Sequence, residues 1–161
     1  MAADMDALER RVRVLEDREA ISALVAAYGP LADCGDAEAV AALWHEDGAY
    51  EVVGFATARG HAEIAGLITG ETHRALMAAG CGHLLGPIAI DLDGDRATVR
   101  GHSVVTRHTP NGFEIYRVSA NRWTFERRDG VWRALHRANA MLDGAEAARI
   151  LLSPPTGRHP S

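Results

Sequence analysis

The stretch GFEIYRVSANRWTFERRDGVWRALHRANAML, residues 112–142, decides the fold. Its two halves have the composition and alternation of β-strands, and Asp129-Gly130 between them is among the strongest short hairpin signals. Toward the N-terminus, Asn111-Gly112 and Asp93-Gly94 mark two further turns of the same kind. The sequence therefore predicts a meander of four antiparallel strands, over residues 82–92, 96–109, 113–128 and 131–142.

The N-terminal half has helical periodicity. Apolar residues recur at helical spacing from Leu8 to Leu15, and a second phase runs from Ile21 to Tyr28, which predicts one long or kinked helix. Asp36 is the expected N-cap of a short second helix. The remaining predicted elements are a short strand over residues 49–53 and a third helix over 60–79 that Gly66 and Gly70 weaken or divide.

These elements predict a single α+β domain over residues 1–152, in which three N-terminal helices cover one face of a curved antiparallel sheet. The Pro-rich end, residues 153–161, continues neither helix nor strand, so we expect a flexible or partner-draped tail.

Composition excludes several classes of function. The chain has 161 residues, of which 47% are hydrophobic and 24% charged, and its net charge of -5 gives no electrostatic reason to expect nucleic acid or an anionic membrane as partner. Cys34 and Cys81 form no disulfide framework, and neither Cys-x-x-Cys nor His-Glu-x-x-His occurs, so no metal is expected. No apolar run has the length of a membrane span or of a signal-peptide core. We expect a cytoplasmic protein with small-molecule or protein partners.

His83 is the most informative residue for chemistry, and Asp33 is its expected partner. An imidazole held by a carboxylate titrates near neutral pH and moves protons without a metal or cofactor. Both residues also have a purely structural interpretation, as a hydrogen-bonded histidine at the start of a strand and as an aspartate in a turn.

Strand alternation groups further candidates on one side of the third long strand. This set mixes large apolar with polar groups, as a small-molecule pocket requires, although a core face with satisfied polar residues has the same pattern. Its members are Ile115, Arg117, Ser119, Asn121, Trp123 and Phe125. By the same reasoning His108 approaches Asn121 across the hairpin, or lies exposed at the strand end.

Three more side chains have two interpretations each. Arg137, if it points inward, must meet an anion or several acceptors, and otherwise it is a solvated sheet residue. Tyr28 and Tyr50 either polarise a carbonyl or are core aromatics with their hydroxyls at the rim.

At these positions the chain resembles the scytalone dehydratase and SnoaL-like polyketide cyclase branch of the nuclear-transport-factor-2-like superfamily, over nearly its whole length. The matching positions are Asp33, Tyr50, His83, His108, Ser119, Asn121 and the run from Asp129 to Trp132. Cys81-Gly82-His83 and Arg137 also resemble the cofactor-free dehydrochlorinase, and the bile-acid dehydratase is a further relative. Ala32 stands where the dehydratase has a second tyrosine, and Tyr28 stands where the dehydrochlorinase has a basic residue, which argues against halide elimination.

The resemblance implies a cone-shaped fold whose pocket lies between the sheet and the helices and is closed by Trp44 and residues 55–60. It also implies a cofactor-independent lyase, a dehydratase that removes water from a cyclic, largely apolar hydroxy compound. The implied roles are His83 as general base, Asp33 as its orienting partner, Tyr50 and Tyr28 as carbonyl donors, Arg137 and His108 at the leaving oxygen, and Ser119, Asn121, Trp44 and Trp123 as substrate contacts.

Two other function classes remain open, because this fold hosts several. An isomerase or polyketide cyclase would use the same dyad without a leaving group, and a binding module would need no dyad. The relatives also imply a homotrimer packed through the outer sheet faces, with a dimer through the same faces as the competitor.

Overall fold

One curved, open sheet of six strands forms the frame of the protein, in the order β2-β1-β6-β5-β4-β3. The computed structural model describes residues 2–155, with side chains from Asp4 onward. The four strands of the predicted meander are confirmed. The strands are β1 (Trp44–Val52), β2 (Ala56–Arg59), β3 (Cys81–Asp93), β4 (Arg96–Thr109), β5 (Gly112–Arg128) and β6 (Val131–Met141).

The helices are α1 (Ala2–Cys34), α2 (Ala37–Ala41), α3 (Gly60–Thr69), α4 (Glu71–Ala79) and α5 (Glu146–Leu152). Asp36 caps α2 as predicted, since its carboxylate accepts from the Ala39 N–H. The predicted third helix is divided at Gly70, whereas Gly66 lies inside α3. The described residues include no helix that is both long and apolar enough to span a membrane.

The backbone of the turn between β5 and β6 explains why Asp129-Gly130 predicted this hairpin correctly. Asp129 and Gly130 have φ values of 50° and 78°, so both occupy the left-handed region. A two-residue turn with this backbone matches the twist of the paired strands. The turn fixes the register of β5 against β6 as far as Phe125 opposite Ala134, and a register shift between Phe125 and Thr124 then places Asn121 opposite Asn139 and Trp123 opposite Arg137.

The N-terminal part of the sheet differs from the prediction. The first strand begins at Trp44 rather than at residue 49, and its parallel pairing with β6 is interrupted between Trp44 and Ala49. The short β2 was not predicted. It pairs antiparallel with β1 at the sheet edge, and its four residues are too few for a periodic pattern.

We call the sheet face covered by α1 the inner face. The core lies there, where Ile21 and Val25 of α1 pack against inward-facing residues of β4 and β5 such as Val99 and Phe125. This arrangement confirms the α+β class and the helix-covered inner face.

A further helix, α5, was not predicted, and it packs on the opposite, outer face. Ala148 of α5 contacts Ala120 and Ala140, and the Arg122 guanidinium donates to the carbonyls of Ile150 and Leu151. Seven residues give too little periodicity for a sequence to reveal such a helix. Of the predicted tail, residues 156–161 lie outside the described residues.

Candidate functional site

His83 and Asp33 meet where the C-terminal end of α1 packs against β3. Nδ1 of His83 lies 2.6 Å from Oδ1 of Asp33, and the His83 backbone N–H donates to Oδ2 at 2.8 Å. A carboxylate only accepts, so Nδ1 carries the proton and Nε2 is the basic nitrogen. No hydrogen bond to Nε2 occurs among residues 4–155. The arrangement leaves a base with a fixed tautomer.

A glycine makes this close approach possible. A Cβ on Gly29 would lie 2.2 Å from the carbonyl oxygen of His83, so any side chain there would push α1 away from β3. Gly35, with φ of 76°, then ends the helix two residues after Asp33. Sequence reasoning missed Gly29, because nothing in a single sequence marks a glycine that another strand approaches.

The environment keeps the imidazole neutral. Burial lowers the pKa of His83, the hydrogen bond and charge of Asp33 oppose this shift, and His73 and Arg117 add to the lowering. The ring of His73 lies 5.3 Å from that of His83, centroid to centroid, and its Nε2 contacts the Ala32 carbonyl at 2.8 Å. His73 is buried at the site and was also missed. A neutral His83 at pH 7 is the form that accepts a proton.

Cys81 completes a compact group with the dyad. Its thiol donates to Asp33 Oδ1 at 3.5 Å, and burial followed by the Asp33 charge raises the pKa of the thiol to about 11. One ligand atom each from Asp33, Cys81 and His83 lie within 4.8 Å of one another. Ligand atoms around a zinc ion are separated by about 3.3 Å or more, so a metal would have to break the 2.6 Å contact. The geometry fits a hydrogen-bonded dyad better than a metal site.

Arg137 points inward and is buried in the middle of the fold. It is 2% exposed, and its guanidinium carbon lies 4.1 Å, 4.4 Å and 4.5 Å from the ring centroids of Tyr28, Trp123 and Tyr50. Among residues 4–155 it pairs with no carboxylate. The positive charge of Arg137 is therefore stabilised by cation–π contacts with aromatic rings and not by an anion.

Asn121 holds the Arg137 side chain through hydrogen bonds. Its Oδ1 accepts from Nε and Nη2 of Arg137 and from Nδ2 of Asn139, while its own Nδ2 donates to Ser103. An amide so engaged positions Arg137 and has little capacity left for a substrate. Buried polar atoms without a partner in the described structure include Nη1 of Arg137, Oγ of Ser119 and Oδ1 of Asn139.

Aromatic rings occupy the interior where the sequence predicted an open pocket. Tyr28, Trp44, Tyr50, Trp123 and Phe125 form this aromatic cluster, with neighbouring centroids 5.3 to 6.4 Å apart. The ring of Tyr28 neighbours both His83 and Arg137. Its centroid lies 6.4 Å from that of the His83 ring, and the Arg137 guanidinium lies over its face. It thus links the dyad to the buried charge.

The hydroxyls of the two tyrosines belong to the same cluster. Burial, and then the neighbouring Tyr50, raise the pKa of Tyr28, and Arg137 opposes the shift. The Tyr28 phenol therefore stays protonated and remains a hydrogen-bond donor.

The expected closure of the pocket is not found. Trp44 is completely buried, and its indole N–H donates to the Ala49 carbonyl, so it is part of the core rather than a lid. Phe55 is 91% exposed in the turn before β2 and covers nothing in the described structure. The residues from 56 to 59 form the edge strand instead.

The structure does not bring His108 to the dyad. Asn121 pairs with Gly101, so Ser103 and Val105 share its inner face, whereas His102 pairs with Ala120 and points outward. The register shifts between Val105 and Thr106. His108 is exposed and packs against Phe113, with centroids 5.1 Å apart.

The same irregularity moves Ile115 out of the group predicted with Ser119. Ile115 pairs with Thr106 and is 67% exposed, whereas Ser119, Asn121, Trp123 and Phe125 are buried as expected. A register shift of this kind inserts a residue into one strand and reverses the alternation beyond it. Nothing in the sequence marks this shift, so simple alternation failed for Ile115. His108 points outward for a different reason, because it alternates in phase with His102, whose direction follows from the pairing of Asn121 with Gly101.

Comparison with known proteins places this geometry in a family. A crystal structure of an NTF2-like protein with a cystatin-like fold from Novosphingobium aromaticivorans is 62% identical, covers 91% of this chain and 95% of that chain, and superposes with a TM-score of 0.89. A protein of unknown function from Mycobacterium tuberculosis is 30% identical over 81% of this chain and 72% of that chain, with a TM-score of 0.69.

A putative scytalone dehydratase from Novosphingobium aromaticivorans shares the fold at 21% identity, covering 79% of this chain and 85% of that chain, with a TM-score of 0.66. No curated protein matches the chain. The family model for the SnoaL-like domain matches residues 13–138, which include α1 from its middle, the dyad and Arg137. The chain therefore belongs to the SnoaL-like family of the NTF2-like superfamily, whose members include polyketide cyclases and scytalone dehydratase.

Proposed function

We propose that this protein is a cofactor-independent lyase, a dehydratase that eliminates water from a cyclic, largely apolar hydroxy compound. The observation that carries the proposal is the 2.6 Å contact between His83 Nδ1 and Asp33 Oδ1, which fixes a neutral imidazole with a free Nε2. Such a pair needs neither metal nor cofactor to move a proton.

In this reaction His83 Nε2 removes a proton from the carbon next to a carbonyl. The C–O bond on the adjacent carbon then breaks, and the departing oxygen takes the proton back from the imidazolium, so the products are an unsaturated ketone and water. Asp33 stabilises the imidazolium that forms in between, as the aspartate of a catalytic triad does. Deprotonation next to a carbonyl places negative charge on the carbonyl oxygen, which requires a donor.

Tyr50 and Tyr28 are the donors proposed for that oxygen. Tyr28 contacts the His83 ring, and its raised pKa keeps the phenol protonated at neutral pH. Both rings are held in place by the aromatic cluster. Donors fixed before the reaction need little reorganisation when charge develops.

Arg137 favours a lyase over a binding module. A buried guanidinium without an anion costs several kcal/mol in desolvation, and Arg137 is kept in that state by Asn121 and three rings. A positive charge held in this way suits a reaction in which an oxygen leaves with negative charge. In this proposal Ser119, whose buried hydroxyl is unpartnered within the described structure, contacts the substrate. His108 has no role in it, since its side chain is exposed.

Substrate entry requires the aromatic cluster to open, because its rings now contact each other beside the dyad. Trp44 and Trp123, with centroids 5.3 Å apart, would report this opening as a change in intrinsic fluorescence. A titration with candidate compounds would thus detect binding independently of turnover.

The test is incubation of the purified protein with a panel of cyclic β-hydroxy ketones and mass spectrometry of the products. We expect a product lighter by one water, formed by the wild type and not by His83→Ala. Rearrangement or ring closure without loss of water would instead identify an isomerase or cyclase using the same dyad. A fluorescence response without any product would identify a binding module, and both outcomes would contradict the dehydratase.

A homotrimer through the outer sheet faces remains our expectation for the assembly, with a dimer as competitor. The face available is smaller than the sequence suggested, because α5 covers Ala120 and Arg122. Exposed apolar side chains remain at the other end of the outer face, namely Leu84 on β3 and Ile115 on β5. Light scattering that gives a monomer mass at micromolar concentration would contradict both assemblies.

A further inference from the structure

The first half of α1 extends beyond the folded body. Asp17 anchors α1 to the sheet, since its carboxylate accepts from Trp132 Nε1 at 2.8 Å and from Arg127 Nη1 at 2.6 Å. Residues 4–16, which we call the overhang, precede this anchor and are exposed apart from a half-buried Ala7. At 1.5 Å per residue the overhang is roughly 20 Å long.

The overhang carries an apolar stripe that is exposed within the described structure. Met5, Leu8, Val12 and Leu15, which we call the seam, are 56%, 52%, 43% and 66% exposed. Large aliphatic side chains this exposed lose stabilisation to water that burial would recover. A shallow groove runs along this side of the helix, lined by Leu8, Glu9, Val12, Arg13 and Glu16.

The seam cannot be buried by the protein's own sheet. With 100° per residue, the seam lies roughly 150° around the helix from the stripe that packs into the core. That core stripe consists of Ile21, Val25, Tyr28 and Ala32, all buried. The helix therefore has one apolar face for its own sheet and a second, nearly opposite face for something else.

The spacing of the seam identifies what covers it. Intervals of three, four and three residues are those of the a and d positions of a coiled coil, with Met5 and Val12 at a and Leu8 and Leu15 at d. A β-branched residue at a with leucine at d favours two parallel strands. We propose that the overhang pairs with the overhang of a second copy of this chain in a parallel two-stranded coiled coil.

The charges that flank the seam support this pairing. Arg11 takes a g position and Glu16 the following e position, so in a parallel pair each Arg11 faces the Glu16 of the other copy. Neither residue forms an ion pair within residues 4–155. In an antiparallel pair, Glu9 and Glu16 of the two copies would lie on the same side and repel. Asp4 and Glu9 occupy the preceding g and e positions, and both are acidic. The complementary charges are therefore those of Arg11 and Glu16 in the second heptad.

The short length of the seam is not an obstacle to folding. Isolated helices of about a dozen residues are marginal because nucleation is costly. The overhang continues a helix of 33 residues that the core already holds, so it needs no nucleation of its own. Pairing then gains the free energy of burying the apolar seam, and it loses little backbone entropy because the helix is already formed.

Disulfide trapping on the full chain tests the proposal directly. In a Cys34→Ser background, which removes the exposed thiol, Leu8→Cys should form a covalent dimer under mild oxidation, because d residues of parallel strands face each other. Arg10→Cys is the matched control, since it lies on the opposite side of the same helix. Equal cross-linking of the two variants would overturn the proposal.

Mass and charge reversal give a second readout. The wild type should contain an even number of chains: two from the overhang alone, four if the outer sheet faces also form a dimer, or six if they also form a trimer. Leu8→Glu combined with Leu15→Glu should halve that mass while circular dichroism shows an intact fold. Arg11→Glu should weaken the assembly, and adding Glu16→Arg should restore it. An unchanged mass in the double leucine variant would also overturn the proposal.

Discussion

The dyad and the buried arginine lie on the same inner side of the sheet, yet they handle charge in opposite ways. His83 is hydrogen-bonded to a carboxylate that is still 27% exposed, so the dyad is complete and within reach of solvent. Arg137 has no carboxylate among the described residues, is 2% exposed and is held by rings and an amide oxygen. The dyad, in which Asp33 already supplies the counter-charge, suits proton transfer. Arg137, which has no counter-charge among the described residues, suits the stabilisation of negative charge that develops on a substrate.

The largest effect should follow from removing the base. His83→Ala should lower turnover about 10²–10⁴-fold, the range for loss of a general base, because no second base contacts the same position in the proposed mechanism. The measurement is the rate of water loss from a confirmed substrate. Asp33→Asn should be similarly severe, since the amide can present an N–H to Nδ1 and stabilise the wrong tautomer. Retained turnover in His83→Ala would remove the dyad from the chemistry.

Arg137→Leu tests the buried arginine independently of the dyad. We expect turnover to fall about 10²-fold, as for the loss of one fixed donor to developing charge. The thermal midpoint should stay the same or rise, because replacing a buried charge by an apolar group is often neutral or stabilising. Arg96→Leu is the control, since its side chain is 73% exposed and forms only a surface ion pair with Glu126. A large loss of stability with unchanged turnover would make Arg137 a structural residue.

Gly29→Ala tests how the dyad is positioned. The added methyl meets the His83 carbonyl oxygen, so α1 must shift, and we expect a loss of about 1–3 kcal/mol in the free energy of unfolding. Turnover should fall with it, because Asp33 follows on the same helix. Gly66→Ala in α3 is the matched control, since its Cβ would meet nothing within 4 Å. Chemical denaturation measures both, and equal stabilities would contradict the close approach.

The smallest effect concerns pH. Because burial lowers the pKa of His83, kcat/KM should fall only as the pH drops below the ordinary histidine value of about 6.5. Asp33→Asn should lower the pKa of His83 further, since the carboxylate opposes the shift. Titration of the His83 ring by NMR measures this directly, and a pKa above 6.5 in the wild type would contradict the site description.

The same shift has a consequence for stability. The neutral imidazole is favoured in the folded state, so its contribution is fully present above the unfolded pKa of about 6.5. It is lost as the pH falls through the lower folded pKa. Denaturation of the wild type and of His83→Ala at both ends of this range checks the sign.

The sequence predicted those parts of the fold that local chemistry controls. The turn Asp129-Gly130 requires left-handed backbone and therefore marks its hairpin. The alternation of buried side chains from Ser119 to Phe125 follows from a sheet with one buried face. The contact between His83 and Asp33 was expected from a resemblance, not from any pattern in the residues between them.

What the sequence did not predict depends on contacts between distant residues. The register shift beside Val105, which carries Ile115 outward, has no local signal. The pairing of Asn121 with Gly101, which leaves His108 on the outer face, is likewise set between two strands. The same is true of His73, which reaches the dyad only through the packing of α4. The filling of the interior by Trp44 and Tyr50 is likewise set by how β1 docks beside β6, which is a property of the sheet.

The most direct test of the central claim is proton exchange in heavy water. A cyclic ketone that binds should gain deuterium at the carbon next to its carbonyl in the presence of the wild type, as measured by mass spectrometry. We predict that His83→Ala abolishes this exchange, whereas Arg137→Leu retains exchange and loses only the elimination of water. Exchange by His83→Ala at the wild-type rate would show that His83 is not the base.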